Sequence, residues 1–271
     1  MGETPTIGFE RAERRRIYEY VEREGAVEPE RVRQDVLVRT ESSSKPARSG
    51  AALSPSVPMD PEAFRHHVSI LKRDGYLEEH DGKLRVAFPM DADAETVDLD
   101  GVEAEIRPAR QEDITGVIGV VRAVAEEADH AVAARLAEQV SRDDVLLRHN
   151  EEESRVFFVA TVEGDAVGWL HVEALKYPRM DHTAELTVGV LEEYRGSGLG
   201  SALMDCGLDW ARERGYLKVY QNLPATNESG IAFLEGNGWT EEYRREGHYL
   251  LDGELVDEVG LAVWVDDRPV A

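Results

Sequence analysis

Between Ala184 and Gly215 the chain reads AELTVGVLEEYRGSGLGSALMDCGLDWARERG, and no other stretch constrains the fold as strongly. Leu186, Val188 and Val190 fall on alternate positions, the period of a strand. Arg195-Gly196-Ser197-Gly198-Leu199-Gly200 follows as a glycine-rich loop. Leu203, Leu208 and Trp210 then carry the apolar stripe of an amphipathic helix. Strand, glycine loop and helix in this order make an anion cradle. Glycines remove side chains, so successive backbone N–H groups can approach a phosphate closely. The helix N-terminus adds its partial positive charge. The implied guest is a cofactor that carries a diphosphate. The loop is not G-x-G-x-x-G and lacks Gly-Lys-Ser/Thr, so neither a dinucleotide fold nor a nucleoside-triphosphate loop is supported. Taken alone, the stretch also fits a helix entered by a flexible turn.

The flanking chain predicts an α/β domain. Strands are expected over residues 102–107, 155–162, 166–174, 184–190 and 217–222, and around 239–244 and 257–265. Helices are expected over 112–128, 132–149, 198–214 and 228–237. Glu163-Gly164-Asp165 turns a hairpin between two of the strands.

Arg195-x-x-Gly198-x-Gly200 resembles the coenzyme A pyrophosphate signature of the GNAT acetyltransferases. Further features match that superfamily in order and spacing. FFVATVEGDAVGWLHV resembles its second and third strands, joined by a tight hairpin. Val190 lies five residues before Arg195, where in the family a strand splays from its neighbour and its backbone bonds the pantetheine arm and the acetyl carbonyl. NLPATNESGIAFLEGNGWTEE resembles the family's fifth strand and following helix, with Asn227 in the place of the usual Asn near the cofactor. HYLLDGELVDEVGLAVWV resembles the last hairpin of the small members. The likeness covers residues 102–265. It implies a GNAT fold, a mixed and mostly antiparallel central sheet flanked by helices. It implies acetyl-CoA as cosubstrate, held by Val188, Val190, Arg195, Gly196, Ser197, Gly198, Leu199, Gly200 and Asn227. It also implies direct transfer of an acetyl group, in a ternary complex, to a primary amine on a small molecule or a protein. Such an amine must lose a proton, and Glu185 at the start of the splayed strand is the candidate base. The same residue also reads as a solvent-facing strand carboxylate.

One position departs from the pattern. Many family members carry a Tyr on the helix after strand five that protonates the departing thiolate. Counting from Asn227 and from Gly238, that slot holds Leu234, which has no proton to give. Tyr220, Tyr243, Tyr249 and His248 are the nearby donors, and each equally reads as a packed aromatic or a surface histidine. A catalytically weak acyl-CoA-binding module is therefore an alternative. Cys206 falls inside the helix after the loop and reads as core rather than nucleophile.

Residues 1–90 read as a separate winged helix-turn-helix-like α+β domain. Helices are expected over 10–24, from Glu28 through Val36 and Leu37, and over 60–75. Asp81-Gly82 turns a hairpin between 76–80 and 83–88. Residues 40–58, rich in Ser, Pro, Ala and Gly, read as a loop or disordered insertion, long for a compact three-helix core. If the likeness holds, Arg65, His66, His67, Lys72 and Arg73 could meet DNA through residues 60–88. A solvated helix face or a protein-docking module reads equally from the same residues. A DNA-binding regulator responsive to acyl-CoA is thus a further alternative. Residues 91–101, within PMDADAETVDLDG at 89–101, read as an acidic linker to a domain over 102–271.

Charge supports this division. Residues 1–90 hold 15 Lys/Arg and 16 Asp/Glu, whereas residues 91–271 hold 16 and 39. The net charge of -24 reads as adaptation to high salt, a halophilic surface that stays hydrated while salt screens its self-repulsion. A basic partner is the other reading. A domain of residues 1–90 with no net positive charge gains little from phosphate neutralisation. No run of about 18 apolar residues exists for a membrane span, and MGETPTIGFERAERRR predicts no secretory leader. The single Cys206 excludes an internal disulfide or a multi-cysteine metal site. A cytoplasmic protein is expected.

Overall fold

The computed structural model describes residues 9, 11–39, 56–87, 94–99, 101–126, 131–143, 145–149, 153–175, 177 and 179–265. Two units are present, one within residues 7–89 and one within residues 90–271.

In the first unit, helix α1 (Ala12–Glu24) buries Ile17, Tyr18, Tyr20 and Val21, and Gly25 at φ 75 ends it. Helix α2 (Pro29–Asp35) opens on Pro29, whose missing N–H would be unpaired there in any case. Leu37 lies outside that helix, contrary to expectation. It begins strand β1 (Leu37–Arg39), which pairs antiparallel with β2 (Ser56–Pro58). The expected loop therefore ends in a paired strand at 56–58, and its residues 40–55 lie outside the described set. Helix α3 (Pro61–Arg73) is capped by Asp60, whose Oδ1 accepts from the N–H groups of Glu62 and Ala63 at 2.9 and 3.1 Å. Phe64, Val68 and Leu71 pack inward from α3. Strands β3 (Leu77–His80) and β4 (Lys83–Val86) form the hairpin, turned by Asp81 and Gly82 at φ 50 and 75. His67 is buried in this unit, not presented on the surface. Lys72 and Arg73 pair with Glu79 and Asp74, each at 2.8 Å. Of the five candidate DNA contacts, Arg65 and His66 are the exposed residues with no such ion pair among the described residues.

The second unit is built on one sheet in the order β12-β13-β11-β10-β9-β8-β6-β5, with β7 pairing β8. In chain order its elements are β5 (Glu95–Leu99), β6 (Val102–Pro108), α4 (Ile114–Glu126), α5 (Ala131–Asp143), β7 (Arg148–His149), β8 (Glu153–Val162) and β9 (Asp165–Leu175). They continue with β10 (Thr183–Val190), α6 (Leu199–Glu213), β11 (Lys218–Pro224), α7 (Glu228–Gly236), β12 (Thr240–Leu251) and β13 (Glu254–Trp264). The pairing of β10 with β11 is parallel, and every other described pairing in this sheet is antiparallel.

Three expectations are corrected. The stretch read as a linker contains β5, which pairs with β6 along its length. The turn is closed by the Gly101 N–H, which donates to Asp98 Oδ1 at 2.8 Å. The helix expected to 149 stops at Asp143, and Arg148–His149 instead pairs with β8. The strand expected around 239–244 runs on to Leu251 with two register shifts, and β13 begins at Glu254, within the stretch that resembles the last hairpin.

Alternation along the strands sorts the two faces. On one face Leu170 and Leu186 meet α6 at Gly207. On the other, Phe157, Val159 and Trp169 share a core with Val117, Val120 and Val121 of α4 and with Leu136 and Val140 of α5.

Candidate active site

Strands β10 and β11 pair through Thr183↔Lys218, Ala184↔Val219 and Glu185↔Tyr220, and there the pairing stops. Strand β10 continues to Val190, still paired with β9 through Val190↔Gly168. Strand β11 continues to Pro224, still paired with β13. The two strands therefore part while each stays anchored on its outer side. The inner edge of β10 beyond Glu185 presents backbone N–H and C=O groups that no neighbouring strand takes up.

A cavity of about 570 Å³ occupies the gap. Thr187, Val188, Gly189 and Val190 all line it, so both side-chain parities of β10 contribute. That is possible only where the cavity passes around the open edge of the strand, from one sheet face to the other. Arg195, Gly196, Gly198, Gly200 and Ser201 line one end, and Gln221, Leu223, Asn227, Phe233 and Leu234 line the wall opposite β10.

The glycine loop is shaped for close approach. Gly196 and Gly198 have φ 73 and 92, and a Cβ on either would meet nothing in the protein within 4 Å. The room they leave opens toward a guest. Gly198 is the N-cap of α6 with no side-chain cap, and the first N–H groups of a helix have no intrahelical acceptor. The Arg195 Nε donates to the Val190 carbonyl at 2.9 Å, tying the loop to the end of the open strand. These features fit a pyrophosphate. Ser197 and Leu199 do not line the cavity: Ser197 Oγ donates to the Tyr194 carbonyl at 2.6 Å and the Leu199 side chain is fully buried. What those two residues can offer a phosphate is backbone N–H. Asn227 caps α7, its Oδ1 accepting from the Gly230 N–H at 2.9 Å.

Glu185 does not line the cavity but stands at the point where the strands part, on the same face as Thr187. Burial raises its carboxyl above the usual range. Arg135, whose Nη2 lies 3.4 Å away, opposes the rise, and Glu258 adds to it. Across the gap on that face, the Tyr243 ring lies over Gly260, close enough that no larger residue fits there. Its hydroxyl lies 2.8 Å from Asn222 Oδ1 and 3.1 Å from Glu258 Oε2. The Tyr249 hydroxyl donates to the other oxygen of Glu258 at 3.1 Å, and Arg245 pairs with Glu258 at 2.9 Å. His248 stands 3.4 Å from the same carboxylate. Burial, then Glu185 and Glu173, push Tyr220 up to about 12, so it stays a neutral hydroxyl at ordinary pH. Leu234 is buried in the cavity wall. Cys206 is pushed up to about 12 by burial and by the carboxylate of Glu95, which leaves it a thiol and a poor nucleophile.

Residues 121–239 match the Acetyltransferase (GNAT) family model. The match supports an acyltransferase. A 117-residue segment is 28% identical to an N-alpha-acetyltransferase of Sulfurisphaera tokodaii, spanning 40% of this chain and 70% of that one. The GNAT-family acetyltransferase of Streptococcus pneumoniae superposes with a TM-score of 0.50 at 17% identity, covering 60% of this chain and 99% of that one. The yncA protein of Salmonella typhimurium, solved with its cofactor acetyl-CoA, does so with 0.50 at 18%, covering 62% and 97%. GNAT acyltransferases use acetyl-CoA, and the glycine loop and open strand of this unit have the chemistry to receive it.

The site contains residues that the sequence reading passed over: Trp169, Thr187 and Gln221 in the cavity, and Arg135 and Glu258 around Glu185. A signal for one existed. Gln221 sits between Val219 and Leu223 on the alternate positions of β11, a lone amide in an apolar row.

Proposed function

We propose that this chain transfers the acetyl group of acetyl-CoA to a primary amine by direct attack in a ternary complex. The observation that carries this reading is the cavity through the gap between β10 and β11, with a phosphate cradle at one end and Glu185 near the other. In this reading the loop from Arg195 to Gly200 and Asn227 hold the pyrophosphate end, and Val188 and Val190 hold the arm. The open N–H groups of β10 stabilise the carbonyl oxygen as negative charge grows on it. Glu185 takes the proton from the attacking amine, directly or through water. Burial raises its pKa, which makes it a stronger base than an exposed carboxylate. The acceptor is an amine of a small molecule or a protein, and the relative from Sulfurisphaera tokodaii favours a protein amine. The test is release of free thiol from acetyl-CoA against a panel of amines and peptides, with the full chain at molar salt. Absence of any amine-dependent release in protein that binds acetyl-CoA would reduce it to a binding module.

For residues 7–89 we retain the winged-helix reading, supported by the order of α1, α2, α3 and the β3–β4 hairpin. With His67 buried and Lys72 and Arg73 paired, the DNA-binding alternative rests on Arg65 and His66. We read the acidic surface as adaptation to salt in the cytoplasm.

A further inference from the structure

Gln221 has an environment that packing alone does not explain. It is 4% exposed, it lines the cavity, and its Oε1 has no hydrogen-bond partner among the described residues. A buried amide oxygen left unpaired loses its hydration without return, so a residue kept only for volume would do better as Leu or Met. Its row on β11 is apolar, with Val219 and Leu223 both buried. Tyr220 and Asn222 occupy the opposite parity, on the face of Glu185. Gln221 therefore stands on the face away from the base, together with the wall formed by Phe233 and Leu234. A partner for it must be a donor that enters the cavity on the cosubstrate side.

We propose that Gln221 is a positioning residue for the pantetheine arm: its Oε1 accepts a hydrogen bond from one of the arm's secondary amide N–H groups. The arm carries two such amides, and each loses water on entering the gap. Strand β10 offers backbone groups from one side, and Gln221 supplies an acceptor from the β11 side. Arm and thioester are thus held from both edges of the gap. This inference rests on the acyl-CoA reading above.

Gln221→Met keeps the length of the side chain and removes both polar atoms. Calorimetric titration of the full chain at molar salt is done with coenzyme A and with adenosine 3′,5′-bisphosphate, which has the nucleotide end but no arm. The variant is expected to bind coenzyme A about tenfold more weakly and the bisphosphate as the parent does. Its ligand-free melting temperature is expected to hold or rise, since the orphaned oxygen is gone. A variant that melts no lower and binds coenzyme A unchanged overturns the proposal and leaves the acyl-CoA reading standing. Parent protein that binds neither ligand refutes that reading itself. Coenzyme A analogues with an ester in place of each arm amide test the parent directly, whether or not the variant folds. One ester should weaken binding about tenfold, and unchanged affinity for both overturns the proposal.

Discussion

Glu185 and Tyr220 are the last residues that strands β10 and β11 share. Beyond them the strands separate, so a carboxylate stands at the apex of an opening whose far end is a glycine loop. A parallel pair needs a crossover, and here α6 supplies it. The loop entering α6 thus follows the strand that borders the gap.

Removing the carboxylate should stop proton transfer without disturbing the cosubstrate. Glu185→Gln is expected to lower kcat by about 10²–10⁴-fold, with acetyl-CoA affinity unchanged by calorimetry. A loss smaller than about tenfold would assign the base to another group.

In the proposed mechanism, the neighbours of Glu185 set the pH at which the base works. Its carboxyl lies above the ordinary value of 4.5 because of burial, with Arg135 lowering it and Glu258 raising it. The base acts deprotonated, so the acid limb of kcat/KM should fall above pH 4.5. Arg135→Ala removes a lowering influence and should move the limb to higher pH. Glu258→Gln removes a raising influence and should move it to lower pH. Shifts in the same direction in both variants would separate the limb from Glu185.

Gly198→Ala places a methyl group where the loop leaves open space. At φ 92 it carries a backbone cost of about 1–2 kcal/mol, visible as a modest fall in melting temperature. The folded variant is expected to lose about tenfold or more in acetyl-CoA affinity, because the methyl projects into room left for a phosphate. Unchanged affinity would place the pyrophosphate elsewhere.

In the proposed mechanism, Leu234 offers the departing thiolate no dedicated acid. A thiolate with a pKa of about 8.5 leaves passably without one, so turnover is expected to be modest. Leu234→Tyr adds a hydroxyl to the cavity wall and should raise kcat by up to about tenfold. Tyr243→Phe and Tyr249→Phe should keep most of the rate, since both hydroxyls lie against Glu258. A tenfold loss in either variant would mark a relocated acid.

The truncation that tests independence of the second unit must begin before Glu95. A fragment of residues 90–271 is expected to fold and bind acetyl-CoA. One starting at residue 102 lacks β5 and the buried Leu99, whose burial is worth roughly 2 kcal/mol. It should melt lower by about 4–8 °C. Equal melting temperatures would show that β5 contributes nothing.

The strands and helices around the glycine loop were legible because their signals are local: alternation over 184–190 and glycines with the φ values their turns require. The register shifts of β12 and the short strands β5 and β7 were not legible. A bulge has no composition of its own, and a short strand exists only because another strand lies beside it. The buried His67 was misread for the same reason. Helical spacing shows which residues share a face, but the neighbouring elements decide how wide a face is covered.

The sequence by itself determined that a strand runs through a glycine-rich loop into a helix and that position 234 has no proton to give, since both follow from residue types at short spacing. Only the tertiary structure decided that β10 and β11 part after Glu185 and that Arg135 and Glu258 act on that carboxylate. It also decided that the amide of Gln221 faces the cavity. Each of these depends on residues separated by tens of positions, and their approach is set by sheet order and strand parity, which no local pattern encodes.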